Sequence, residues 1–123
     1  MSVEYLRIES LLAYIESKGW VIVDFGRLDA ALARPKAGYG DYEAYATIEL
    51  KAAALLHSVV CDHALLDGNK GLGVIALMAF LDLNGHDLDL TEDDFYDLVM
   101  DIATSRTRDV HAIAERLAIR PAN

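Results

Sequence analysis

Eight consecutive residues carry most of the chemistry open to this chain: His63-Ala64-Leu65-Leu66-Asp67-Gly68-Asn69-Lys70. His63 can take a proton near neutral pH. Asp67 offers an oxygen ligand to a hard cation such as Mg²⁺. Asp67-Gly68-Asn69 is a turn signal, because Gly and Asn tolerate positive φ. A helix that starts at such a turn has first N–H groups without intrahelical acceptors, at the positive end of its dipole. That end suits an anion such as phosphate, and Lys70 adds a mobile positive charge beside it. Singly these residues are commonplace, since an isolated His usually sits on the surface and Asp-Gly-Asn is usually a plain turn. Base, metal ligand, phosphate-binding turn and cation within eight residues are far more specific.

The stretch needs two elements to hold it, and both are legible. Before it runs Ile48 to Cys61, after it Val74 to Leu81, both apolar around most of the circumference and free of Pro. Such segments form helices buried on several sides. The expected pair spans roughly Ala44 to Asp62 and Asn69 to Leu83, with Asn84-Gly85 as the stop. Upstream, Leu11, Leu12 and Ile15 mark a helix over Ile8 to Ser17 that Gly19 ends. Trp20-Val21-Ile22-Val23 reads as an apolar connection with no visible partner strand. Asp24 caps a short helix carrying Leu28 and Leu32, and Pro35 closes it. Lys36 to Glu43, with Gly38, Tyr39, Gly40, Tyr42 and then Tyr45, is the longest irregular piece. On residues alone it suits a binding flap and equally a surface loop whose tyrosines pack on the core. Downstream, Thr91 caps a helix with Glu92, Asp93 and Asp94 in its first turn, where the dipole favours acids. A last helix carries Val110, Ile113, Ala114 and Leu117. The count is about six helices and no confident strand, so the class is all-α.

At 123 residues the chain is expected to be one domain, 1–123, with a core of its own. A formal net charge of -9 argues against direct nucleic-acid binding, which needs a basic face, and suits a basic partner. The lone Cys61 excludes an internal disulfide and fits a reducing cytoplasm, and its helix makes it a small core hydrophobe. Glu4, Arg7 and Glu9 speak against a signal peptide, and no apolar run is long enough to span a bilayer. His57 and His63 lie six apart and do not share a helix face as zinc ligands would. His86 and His111 stand alone and read as solvated.

The stretch from His63 resembles the motif of the Fic/Doc family, His-x-Phe-x-Asp/Glu-Gly/Ala-Asn-Gly/Lys-Arg. Lys70 in its eighth place is similar to the Doc branch, the toxins of Phd–Doc toxin–antitoxin pairs. Asp24 to Pro35, Lys51 to His57 and Phe80 to Gly85 also look like family segments at the expected distances. The motif differs in two places: Leu65 stands for its Phe and Gly71 for its Arg. The resemblance implies a Fic fold whose two central helices flank the active loop, and a flap at Lys36 to Glu43 that holds the target's chain. It implies an ATP-dependent kinase that phosphorylates a threonine of elongation factor Tu and arrests translation. By that resemblance His63 is the general base and Asp67 the Mg²⁺ ligand. Gly68, Asn69 and Lys70 cradle the phosphates of ATP through backbone N–H groups, the Asn side chain and the ammonium. Gly71 stands where the family's phosphate-binding Arg belongs, and can supply neither its charge nor its fork of donors. A Phd-type antitoxin is the implied partner. The rival readings are transfer of AMP by the same His, as in the wider Fic family, and a catalytically dead helical module that only binds a partner.

Overall fold

The computed structural model describes residues 2–123. Six helices dominate: α1 (Ile8–Ser17), α2 (Phe25–Ala33), α3 (Ile48–Cys61), α4 (Asn69–Leu83), α5 (Glu92–Ala103) and α6 (Val110–Leu117). Four short strands join them: β1 (Gly38–Tyr39), β2 (Tyr42–Glu43), β3 (His86–Leu88) and β4 (Ile119–Pro121).

Local chemistry sets the helix starts. Side-chain oxygens of Asp24, Thr47, Thr91 and Asp109 each accept the backbone N–H three residues on, at 3.0, 3.1, 3.1 and 3.1 Å. Each such cap satisfies a donor that the first helical turn leaves open. Helix α3 is the hub. From Lys51 to Val60 every residue but His57 is buried, because α2, α4, α5 and α6 all pack on it. Its alanines leave room for that, and Gly73 lets α4 come closest. A Cβ at Gly73 would stand 2.6 Å from Val60 Cγ2. Ser58 ties α2 to α3 by donating to the Ala31 carbonyl at 2.9 Å. Phe80, Leu55, Leu77, Leu98 and Ile113 are fully buried in the core around it. Each contributes about 1.5–3 kcal/mol by leaving water.

The mostly-α class and all six helices agree with the sequence reading. Helix α3 starts at Ile48 rather than Ala44, because Thr47 supplies the cap. Helix α2 ends at Ala33, just before Pro35 as expected, and Pro35 itself sits in a 3₁₀ turn, Arg34–Lys36, where its missing N–H has no bond to lose. The expectation of no strand needs correction. Lys36 to Glu43 contains an antiparallel hairpin pairing Gly38 with Glu43 and Tyr39 with Tyr42. Strands β3 and β4 pair His86 with Pro121 and Leu88 with Ile119, bringing the end of the chain back onto the α4–α5 connection. Pairs of two or three residues are too short to show as a period of two. His86 is half-buried there, its Nδ1 2.6 Å from the Asn84 carbonyl oxygen, rather than solvated. Cys61, read as a core residue, is only partly buried. Its thiol reaches the Ile102 carbonyl at 3.5 Å, and burial pushes its pKa up.

Candidate active site

The loop between α3 and α4 is held mainly through its backbone. The segment after α1, read as an unpaired connection, is its partner. Leu66 N–H donates to the Val21 carbonyl at 2.9 Å, and the Val23 and Asp24 N–H groups share the Ala64 carbonyl at 2.9 and 3.2 Å. Ile22 and Leu65 form the bridge between them. Leu65, standing for the motif's Phe, is 2% exposed and anchors the loop as an apolar plug. The chain leaves α3 through His63, whose φ of 52° turns it into the loop. It enters α4 through Gly68 at φ 94°, where an L side chain would be strained.

One Asp and one Asn then shape the turn. Asp67 Oδ1 accepts the Gly68 N–H at 2.8 Å. The Asn69 side chain accepts from Leu65 N–H and donates to the Leu65 carbonyl, both at 3.0 Å. Both polar atoms of the side chain that the resemblance assigns to phosphate also hold the loop. The Asn69 backbone N–H is a further group facing an anion. The first intrahelical bond of α4 runs from Leu72 N–H to the Gly68 carbonyl at 2.8 Å. The N–H groups of Asn69, Lys70 and Gly71 therefore have no intrahelical acceptor.

His63, Asp67, Gly68, Asn69 and Lys70 all line one cavity of about 180 Å³, closed by Val60, Leu66 and Ala103. The side chains of His63, Asp67 and Lys70 are exposed and reach it from solvent. This arrangement offers a proton acceptor, one carboxylate and a cationic turn within a single pocket. It fits a phosphate group and a cation shared between that phosphate and Asp67. Among the described residues no three His, Cys, Asp or Glu side chains are grouped to hold a metal alone. A Mg²⁺ there would take most of its ligands from phosphate and water, as is usual for that ion. Besides its open N–H in that turn, Gly71 lines a neighbouring apolar groove of about 300 Å³ with Lys70, Val74, Phe95, Val99 and Met100.

A second polar cluster runs along α3 from Lys51 in its first turn to His57 in its third. Lys51, 1% exposed, donates to Glu43 Oε1 at 2.8 Å and to the Pro35 carbonyl at 3.3 Å, and its ammonium lies 5.6 Å from the Tyr5 ring centre. Burial opposes its charge, but the hydrogen bonds to Glu43 and Tyr5 outweigh that and hold its pKa above the usual lysine value. Arg34 donates through Nη1 to His57 Nδ1 at 2.7 Å and through Nε to the Tyr45 hydroxyl at 3.1 Å. A guanidinium only donates, so Nδ1 accepts and the ring is neutral. Burial, and then the Arg34 charge, push the His57 pKa down. These contacts clamp both stems of the β1–β2 hairpin. Tyr39 and Tyr42 stand out from its tip, 81% and 60% exposed, with ring centres 5.6 Å apart. The tyrosines therefore divide. These two face solvent as a flap requires, and Tyr45 packs under Arg34.

The Fic/DOC family model matches residues 4–81, which take in the hairpin, α3, the loop and nearly all of α4. The chain belongs to the Fic/DOC family. It is 45% identical over 97 residues to Toxin Doc of Mycolicibacterium smegmatis, a match covering 77% of this chain and 74% of that protein. No solved structure gives a significant match.

Within a Fic/DOC site, Trp20 is the residue the sequence did not reveal. Its indole lies across the first turn of α4. Cβ atoms added at Gly68 and Gly71 would stand 2.5 and 2.9 Å from its ring. Gly71 had no structural reason in the sequence, where Gly inside a helix only costs stability. The reason is this ring, brought from 51 residues away. An internal glycine without a turn is the one sequence signal of such a close approach.

Proposed function

We propose that this Fic/DOC chain is a Doc-like toxin: a kinase that transfers the γ-phosphoryl of ATP to a threonine of elongation factor Tu and arrests translation. The observation that supports it most is the single cavity shared by His63, Asp67 and the open N-terminus of α4. The similarity to Toxin Doc supports the toxin class. His63 accepts the proton of the attacking hydroxyl at the exposed mouth of that cavity. Asp67 would hold Mg²⁺. The N–H groups of Asn69, Lys70 and Gly71 and the Lys70 ammonium orient the phosphates. Asn69 keeps the loop in shape through Leu65. ATP would supply the phosphoryl group. Such transfer is mainly positioning and charge stabilisation, so a motif without its Arg is attenuated. The Tyr39–Tyr42 tip docks the target chain. A Phd-type antitoxin is the natural partner of such a toxin, which would act in the cytoplasm without binding nucleic acid. No helix among the described residues is long and apolar enough to cross a membrane.

Gly71 favours a second reading, a module that binds antitoxin without catalysis. One experiment separates the two. Elongation factor Tu is incubated with the chain, Mg²⁺ and ATP labelled at the α or the γ phosphate, against a His63→Ala blank. Label from γ above the blank is the expected result. Label from α moves the protein to the AMP-transferring group. No label from either, with antitoxin binding retained, establishes the binding module.

A further inference from the structure

Trp20 is the chain's only tryptophan. It follows Gly19, whose φ of 71° ends α1, and its N–H donates to the Ile15 carbonyl at 3.2 Å. Tyr14 backs the indole at 5.9 Å between ring centres, with the rings inclined by 57°. The ring also meets two glycines of α4's N-terminal turn. Its Cε2 and Nε1 stand 2.5 Å from where a Gly68 Cβ would be, and its Cη2 and Cζ2 stand 2.9 and 3.0 Å from a Gly71 Cβ. Real Cβ contacts of that length essentially never occur.

We propose that Trp20 and Gly71 form a matched pair in which Trp20 is the specificity-determining residue of the phosphate end of the site. The indole takes the flank that a side chain at position 71 needs. The anion is then met by backbone N–H groups and Lys70, without a second cation. A return of the motif arginine therefore requires two changes, at 20 and at 71. The ligand class rests on the Doc-like reading above; the steric pairing does not.

Two measurements on one set of variants test this. The first is the thermal midpoint of Gly71→Ala with Trp20 present and in a Trp20→Ala background. At an open helical position Gly→Ala stabilises. Here it should lower the midpoint when Trp20 is present and raise it when Trp20 is absent. Gly71→Ala asks for only a Cβ, so it folds even if larger substitutions do not. The same stabilisation in both backgrounds overturns the pair. The second is calorimetric binding of Mg²⁺–ATP. Gly71→Arg alone should gain nothing. Trp20→Ala/Gly71→Arg should bind about tenfold more tightly or better than Trp20→Ala, the gain expected of one charged phosphate contact. Tighter binding by Gly71→Arg alone, at an unchanged midpoint, also overturns the pair. A reversed midpoint effect with no Mg²⁺–ATP binding by any variant upholds the pair and removes the Doc-like reading. In the wild-type chain the Trp20 emission should change on titration with Mg²⁺–ATP, because the ring lies against Gly68 and Gly71 in the first turn of α4. A flat titration alongside calorimetrically observed binding counts against that placement.

Discussion

The two ends of α3 are both polar junctions, built in opposite ways. At its N-terminal end the hairpin is clamped by side chains. Lys51 in the first turn reaches Glu43 from the core, and Arg34 holds the Tyr45 stem and reaches along α3 to His57 in its third turn. At its C-terminal end the motif loop is clamped by backbone bonds to residues 21–24 and by Asn69 holding Leu65. A charged side chain used as a tether is committed to its partner. A loop tethered through its backbone leaves His63 and Lys70 unengaged, with Asp67 bonded only to its neighbour's N–H. The first design holds a surface in place. The second presents reactive groups in a shaped loop.

That contrast can be broken at several points. The largest effect should come from His63→Ala, which removes a base but no tether. On the kinase reading proposed above, transfer to elongation factor Tu should fall by about 10²–10⁴. The thermal midpoint should stay within a degree or two, about what a surface change allows. A large loss of stability would show that His63 belongs to the scaffold. Asn69→Ala should do the reverse of a reactive-group change. It leaves the N–H and carbonyl of buried Leu65 without partners, at a cost of about 1–3 kcal/mol in urea unfolding. A neutral result would mean that the loop is held by residues 21–24 alone.

Glu43→Ala tests the hairpin end. Lys51 stays buried and keeps the Pro35 carbonyl, and Glu43 is 55% exposed. The loss should therefore be smaller, about 1 kcal/mol. Amide exchange should quicken at Gly38 to Glu43 and not in the motif loop. Equal quickening at both ends would show that the two junctions are one cooperative unit. The smallest effect is on pH dependence. His57 is held neutral with a lowered pKa, so the unfolded chain takes up its proton first as pH falls. Its contribution is fully present above the ordinary histidine value of about 6.5. It is lost as pH drops from there through the folded-state value. His57→Gln still offers Arg34 an acceptor but does not titrate. Urea midpoints of this variant should fall less steeply than wild type between about pH 7 and 5. Parallel slopes would remove His57 from the acid response.

Much of this protein is determined by sequence alone. Four of the six helices follow from apolar periodicity and the two central ones from an apolar circumference, and four starts are set by side-chain caps that act within three residues. The motif follows too, because His63 to Lys70 carries its chemistry in consecutive positions. So does the turn at Gly68, whose positive φ demands a residue without a Cβ. Only the tertiary structure decides the contacts between distant segments. It alone pairs residues 21–24 with the loop, ties Asn69 to Leu65, and buries Lys51 against Glu43. It also sets Trp20 where a side chain at 71 would stand. Capping and turn preferences are local energies and can be read from neighbours in the chain. Close approach between remote residues depends on where packing brings them. A glycine shows only that room was needed at its position. The packed structure shows that the room is taken by an indole ring.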